Sequence, residues 1–222
     1  MFLNAILPAN KQMKVYYIAG GAICGALAIA IRLLQLKVPF ILVPYLEFEL
    51  AEIPILAGFL LYGPTVGVVA AFSYWGILNM VGSFVPIGPA MAFTASLSTV
   101  VGMWLGLKAF RKIVSHKAAL LSLGVLTGIV FRVIVTTISN YIVIWLLFPF
   151  FFEFASQTVS SALGMSFGSQ IEALIIILAL TALFNVIQVI IITIPSLAIV
   201  KTVKNRVTMG KVVTPWITRI LE

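Results

Sequence analysis

From Ile53 to Leu107 the chain runs 55 residues without a charged side chain. A water-soluble fold has no use for such a run, whereas a membrane-spanning helix needs about 20 mostly apolar residues to cross a hydrocarbon core about 30 Å thick. The run is too long for two spanning helices and slightly short for three, so its turn signals decide the division. Gly63-Pro64 and Pro86-Ile-Gly-Pro89 are the strongest of them, because Gly and Pro punctuate regular structure. They predict a short helix at about 49–62, a second at about 65–84 and a third at about 89–108.

The remaining chain divides by the same rule. Residues 15–34 predict the first helix, stopped by Lys37-Val-Pro-Phe. Residues 118–149 predict another, with Arg132 as its one charge. The segment 153–170 is richer in Ser, Gly and Gln and reads as a loop. Residues 172–200 predict the last helix, tilted or bent near Pro195, and a basic tail follows over 201–222. The expectation is a single all-α membrane domain, residues 1–222, with six transmembrane helices. Composition agrees: 62% of residues are hydrophobic and 9% charged, where a soluble domain has about a quarter charged.

Charge tests this count. With six helices and a cytoplasmic N-terminus, the inner segments collect Lys11, Lys14, Lys108, Arg111, Lys112, Lys117, Lys201, Lys204, Arg206, Lys211 and Arg219, which is 11 of the 14 basic residues. Glu47, Glu49, Glu52 and Glu153 fall at or near the outer face. This is the positive-inside pattern, and an odd number of helices would separate the two basic termini. The net charge of +8 is thereby explained by topology and anionic headgroups rather than by nucleic acid. The N-terminal segment lacks the arrangement of a cleavable signal peptide.

Catalysis has little to work with. The chain has no Asp, one His (His116) in a basic loop, one Cys (Cys24) in an apolar stretch and no GxxxxGK[ST] phosphate loop. An enzyme, an ATPase, a metal site and a bound cofactor are therefore not expected. What remains are polar groups in apolar surroundings and one unusual stripe. Asn79, Asn140, Tyr141, Asn185 and Gln188 are candidate ligand contacts, with interhelical hydrogen bonding as the alternative. Glu52, one turn into its span, is either structural or ligand-facing. Trp75 and Trp145 suit stacking on a flat ligand or anchoring at the interface. Ala22, Ala26 and Ala30 lie four apart on one helix face. A face without bulk serves packing inside the bundle or docking of a partner helix.

The stretch Tyr45-Leu-Glu-Phe-Glu-Leu-Ala-Glu-Ile-Pro54, followed by an apolar turn to Gly63-Pro64 and a small-residue helix, resembles the S components of energy-coupling-factor (ECF) vitamin transporters, most of all the riboflavin type. The resemblance continues through Val85-Pro-Ile-Gly-Pro-Ala-Met-Ala-Phe93, Asn140-Tyr141 and Leu183-Phe-Asn-Val-Ile-Gln188, and the Ala22/Ala26/Ala30 stripe is similar to the family's small-residue face. It implies a protein that binds a vitamin near the outer face under outer loops. It also implies docking on a membrane scaffold subunit driven by two ATPases. Asn185 looks like a ligand-contacting Asn of the riboflavin binders, which often carry Lys where this chain has Gln188.

The charge asymmetry makes a direct prediction. In a Cys24→Ser background, a cysteine at Lys112 is labelled by an impermeant maleimide only from the cytoplasmic side, and one at Gln157 only from outside. Labelling of both from one side refutes the six-helix arrangement.

Overall fold

Gly63 sets the tightest turn of the chain. Its φ is +102°, a backbone conformation glycine adopts freely and other residues do not, and Pro64 opens the next helix at once. The computed structural model describes residues 11–207 and 215–221. These form α1 (Lys11–Leu33), β1 (Lys37–Phe40), β2 (Val43–Glu49), α2 (Ile53–Tyr62), α3 (Pro64–Val81), α4 (Ile87–Phe110), α5 (Lys117–Tyr141), a π-helical turn (Ile142–Leu147), α6 (Pro149–Leu163), α7 (Gln170–Val207) and α8 (Trp216–Leu221). Five segments are long and apolar enough to cross a membrane: Val15–Leu33, Pro64–Val81, Ile87–Phe110, Lys117–Leu147 and Gln170–Asn205. The chain is a mostly helical, multi-pass membrane protein.

Three expectations are corrected. The helix expected over 49–62 begins only at Ile53, and the acidic patch before it is strand β2. Its residues alternate, Tyr45, Glu47 and Glu49 against Leu46 and Phe48, with the period of two that strands require. It pairs antiparallel with β1, Lys37 opposite Glu49 and Val38 opposite Phe48, and the Lys37 ammonium donates to Glu47 at 2.6 Å. The fold is thus not purely α. With 10 residues, α2 rises about 15 Å at 1.5 Å per residue, half a hydrocarbon core, and is not itself a span of full length.

The second correction is α6, where residues 153–170 read as a loop. Phe152, Ala155 and Val159 are buried, the 3- and 4-residue spacing of one helical face, and they pack beneath the hairpin and α7. Ser and Gln on the opposite face disguised the helix, which ends at Gly164 with φ +65°. Third, the helix expected over 118–149 stops at Tyr141 and widens into the π-helical turn. The last long helix covers 170–207 rather than 172–200, with Pro195 inside it. Of the expected basic tail, residues 208–214 and 222 lie outside the described residues.

Two apolar clusters result. The larger joins α1–α5, α7 and α8 through Phe59, Leu60, Tyr74, Met103, Leu107 and Ile217. The smaller seats the hairpin on α6 and α7 through Phe40, Val43, Phe152, Ile177 and Phe184. Helices approach closely where side chains vanish. A Cβ on Gly21 would lie 2.5 Å from Val69 Cβ, and one on Gly25 2.6 Å from Ser73 Cβ, which holds α1 on α3. Gly102 and Gly106 of α4 face Thr127, Gly128 and Phe131 of α5 in the same way. Gly106→Val should therefore lower stability by about 1–3 kcal/mol through overpacking. Gly76→Ala, with nothing within 4 Å of its Cβ, should leave the thermal unfolding midpoint in detergent unchanged or slightly higher.

Candidate functional site

Because α2 is short, the chain between the hairpin and α2 lies deep in the bundle rather than at its rim. It carries Glu49 and Glu52, and three helices reach for it. The Glu52 carboxylate accepts from Arg132 of α5 twice, from Nη1 at 2.6 Å and from Nη2 at 3.0 Å. Arg132 Nε donates to Asn185 Oδ1 of α7 at 2.8 Å, and Nη1 donates also to Thr99 Oγ1 of α4 at 3.2 Å. Arg132 is 2% exposed and Glu52 9%. A bidentate fork with further donors engaged by Asn185 and Thr99 is the geometry in which a buried ion pair offsets its desolvation.

One turn farther along α7, Gln188 pairs with the strand end as another strand would. Its Nε2 donates to Glu49 O at 2.7 Å, and its Oε1 accepts from Glu49 N at 3.4 Å. The Glu49 carboxylate meets Arg32 at the end of α1 in an ion pair more open to solvent. Ser196 Oγ donates to Ile53 O at 3.2 Å. Residues 49–53 are therefore held from α1, α5 and α7 at once.

Above this polar floor stands an aromatic wall. Phe48 of β2 stacks on Phe184 of α7, ring centres 4.7 Å apart and planes 20° apart, and Phe40 touches both rings. Phe48 and Phe184 each neighbour a residue of the floor, Glu49 and Asn185. Tyr45 packs edge-on to Phe151 and tilted against Phe154. Its hydroxyl is buried without a hydrogen-bond partner among the described residues, and burial pushes its phenol well above the ordinary range. Apolar, aromatic side chains beside a few convergent polar groups are the composition of a small-molecule site.

Of the residues singled out from sequence, the structure brings Glu52 and Asn185 together through Arg132 and places Gln188 beside them. The polar atoms of Asn185 and Gln188 are engaged by protein: Asn185 Nδ2 donates to Thr181 O at 2.9 Å. Asn79 and Asn140 turn back on their own helices, donating to Trp75 O and Thr136 O at 2.8 Å each, and Tyr141 is 38% exposed. Neither joins the cluster by a hydrogen bond. Sequence reasoning noted Arg132 as a charge inside its helix without giving it a role, and it missed Thr99 and the Arg32–Glu49 pair. A charge in the middle of an apolar helix was the available signal, with Glu52 the acidic residue deepest in a neighbouring apolar segment. Ala22, Ala26 and Ala30 are exposed on α1, while Gly21, Gly25 and Ala28 are the buried face.

These features define a multi-pass membrane protein with a buried polar cluster beside a β-hairpin. No family model and no curated protein matches the chain. Its fold is similar to a solved structure described as the structure and mechanism of the S component of a bacterial ECF transporter. The two share 22% identity and a TM-score of 0.58, over 87% of this chain and 98% of that one.

The ion pair makes a quantitative prediction. Arg132→Leu or Glu52→Leu alone strands a buried charge and should cost about 3–5 kcal/mol, while the pair Arg132→Met with Glu52→Leu should recover most of that loss. Thermal unfolding of the purified proteins in detergent reads the difference. Additive losses in the double variant would show that the two side chains do not act as a pair.

Proposed function

We propose that this chain is the substrate-binding S component of an ECF-type importer. The observation that carries the reading is the fold likeness over nearly the whole of an S component. The acidic-aromatic stretch through Ile53-Pro54 and Gly63-Pro64 supports it independently from sequence. The protein is a single membrane domain with both termini cytoplasmic, in keeping with the clustering of basic residues at one end. Its ligand is a small vitamin taken from outside and held in the outer half of the bundle. Phe48, Phe184 and Phe40 supply stacking surface, and Arg132, Glu52, Asn185 and Gln188 supply the polar floor. Riboflavin is the first candidate from the sequence resemblance, with thiamin, pyridoxine and pantothenate as the others. Asn79, Asn140 and Tyr141, toward the C-terminal ends of α3 and α5, are the further proposed ligand contacts from the sequence.

Delivery follows from docking on a membrane scaffold subunit worked by two ATPases. The exposed Ala22, Ala26 and Ala30 face of α1 is the proposed contact, because a side without bulk admits a second helix closely. The alternative is a membrane assembly protein that uses the same face and carries no ligand.

The test is co-expression with an ECF module. The chain should co-purify with the scaffold and ATPase subunits and support vitamin uptake. Ala26→Trp should reduce both at least about tenfold, equivalent to about 1.4 kcal/mol, while vitamin binding by the isolated protein stays within a factor of about two. Retained assembly with lost binding would make the stripe internal packing. Assembly without binding of any of the four vitamins favours the assembly protein.

A further inference from the structure

The two halves of the buried ion pair are held differently. Arg132 is fixed from three sides, by Asn185 at Nε, by Thr99 at Nη1 and by Glu52 at both Nη atoms. Asn185 and Thr99 are in turn tied to their own helices through Thr181 O and Ala95 O. If Glu52 withdrew, the guanidinium would stay aimed. Glu52 has no comparable support. Among the described residues its carboxylate accepts only from Arg132, and at the start of α2 it caps no backbone N–H. A second group stands ready for it. Tyr74 of α3 is buried in the same cluster as Ala51 and Ile55, the residues on either side of Glu52. Its hydroxyl belongs to a side chain 1% exposed and has no hydrogen-bond partner among the described residues. A buried donor left unmade is costly, and a carboxylate is the acceptor nearest in kind.

A guanidinium fork recognises a planar carboxylate better than any other small group, through two parallel N–H···O bonds. We propose that Arg132 is the receptor for a carboxylate on the ligand, that Glu52 fills that receptor in this structure, and that the ligand is therefore a small organic acid. This deepens the reading of the outer half as a ligand site and rests on it. The incoming carboxylate takes the fork of Arg132, and Glu52 passes to the Tyr74 hydroxyl and toward Arg32. One carboxylate replaces another, so Arg132 never loses its counter-charge. A cationic ligand has no such route, because pairing with Glu52 would strand Arg132 in the apolar interior. Since Glu52 lies three residues past the end of the hairpin, the exchange also pulls on the segment that Gln188 and Arg32 clamp. Of the vitamins named above, pantothenate carries a carboxylate and riboflavin does not.

Chemical rescue tests the receptor without knowledge of the natural ligand. Glu52→Ala opens a carboxylate-sized gap opposite Arg132 in the purified full-length protein. Its unfolding midpoint in detergent is followed against sodium acetate, with sodium chloride at equal ionic strength and acetamide, the neutral isostere, as references. The variant should melt below wild type and regain roughly 2–4 °C for each kcal/mol of acetate binding, saturably, with no such gain from chloride or acetamide. Glu52→Ala combined with Arg132→Met should show no acetate response. Where Glu52→Ala does not fold, Glu52→Ser, whose hydroxyl can cap α2, carries the same titration. An equal response to acetate, chloride and acetamide, or an acetate response that survives loss of Arg132, overturns the proposal. The assay contains no importer subunits, so its failure leaves the importer reading standing, and failure to assemble with an ECF module leaves the carboxylate receptor standing.

Discussion

A guanidinium and a carboxylate removed from water are stable only in each other's company. Once Arg132 and Glu52 are buried together, the positions of four helices are no longer independent. The pair ties the start of α2 to α5, and Thr99 and Asn185 extend the tie to α4 and α7. In a bilayer this matters more than in water, because lipid chains supply no hydrophobic force that presses helices together. Close packing at the glycines supplies the rest: Gly21 and Gly25 hold α1 to α3, and Gly102 and Gly106 hold α4 to α5. The bundle is thus fixed by one polar knot and two bare faces.

The shortness of α2 and the depth of this knot have a common result. A helix of 10 residues cannot fill the bundle from end to end, so the rest of its course is left for another kind of structure. The hairpin takes that place and brings aromatic rings with it. Its strands leave few polar groups exposed, since β1 and β2 pair with each other and Gln188 completes the hydrogen bonds at Glu49. That satisfies the demand that backbone at membrane depth find its partners within the protein.

Much of this was legible in the sequence where one force dominated. The uncharged run and its Gly-Pro breaks locate α3, α4 and the turn at Gly63 within a few residues, because apolar length and glycine conformation leave little choice. The acidic patch was harder. Tyr45 to Glu49 carries both a strand's alternation and the acidic start that suits a helix, and tertiary contact with Phe184 and Gln188 decided for the strand. The helix at Pro149–Leu163 was hidden because Ser and Gln mark loops in water but also the polar face of an interfacial helix. Among polar residues, sequence named Glu52, Asn185 and Gln188 but could not pair them, since their partners lie on other helices. Arg132 was visible as a charge out of place, and only the fold shows what it holds.

The C-terminal helix has a bearing on the order of assembly. Ile217 is buried in the same cluster as Phe59 and Leu60 of α2, and Trp216 lies against Gly63 and Phe59. A chain made from its N-terminus inserts α2 and the Gly63 turn early, whereas their cover, Trp216 and Ile217, is synthesised long after them. The end of the bundle around the Gly63 turn therefore keeps an unfinished apolar surface until that cover arrives, so neighbours in this part of the core are far apart in their order of insertion.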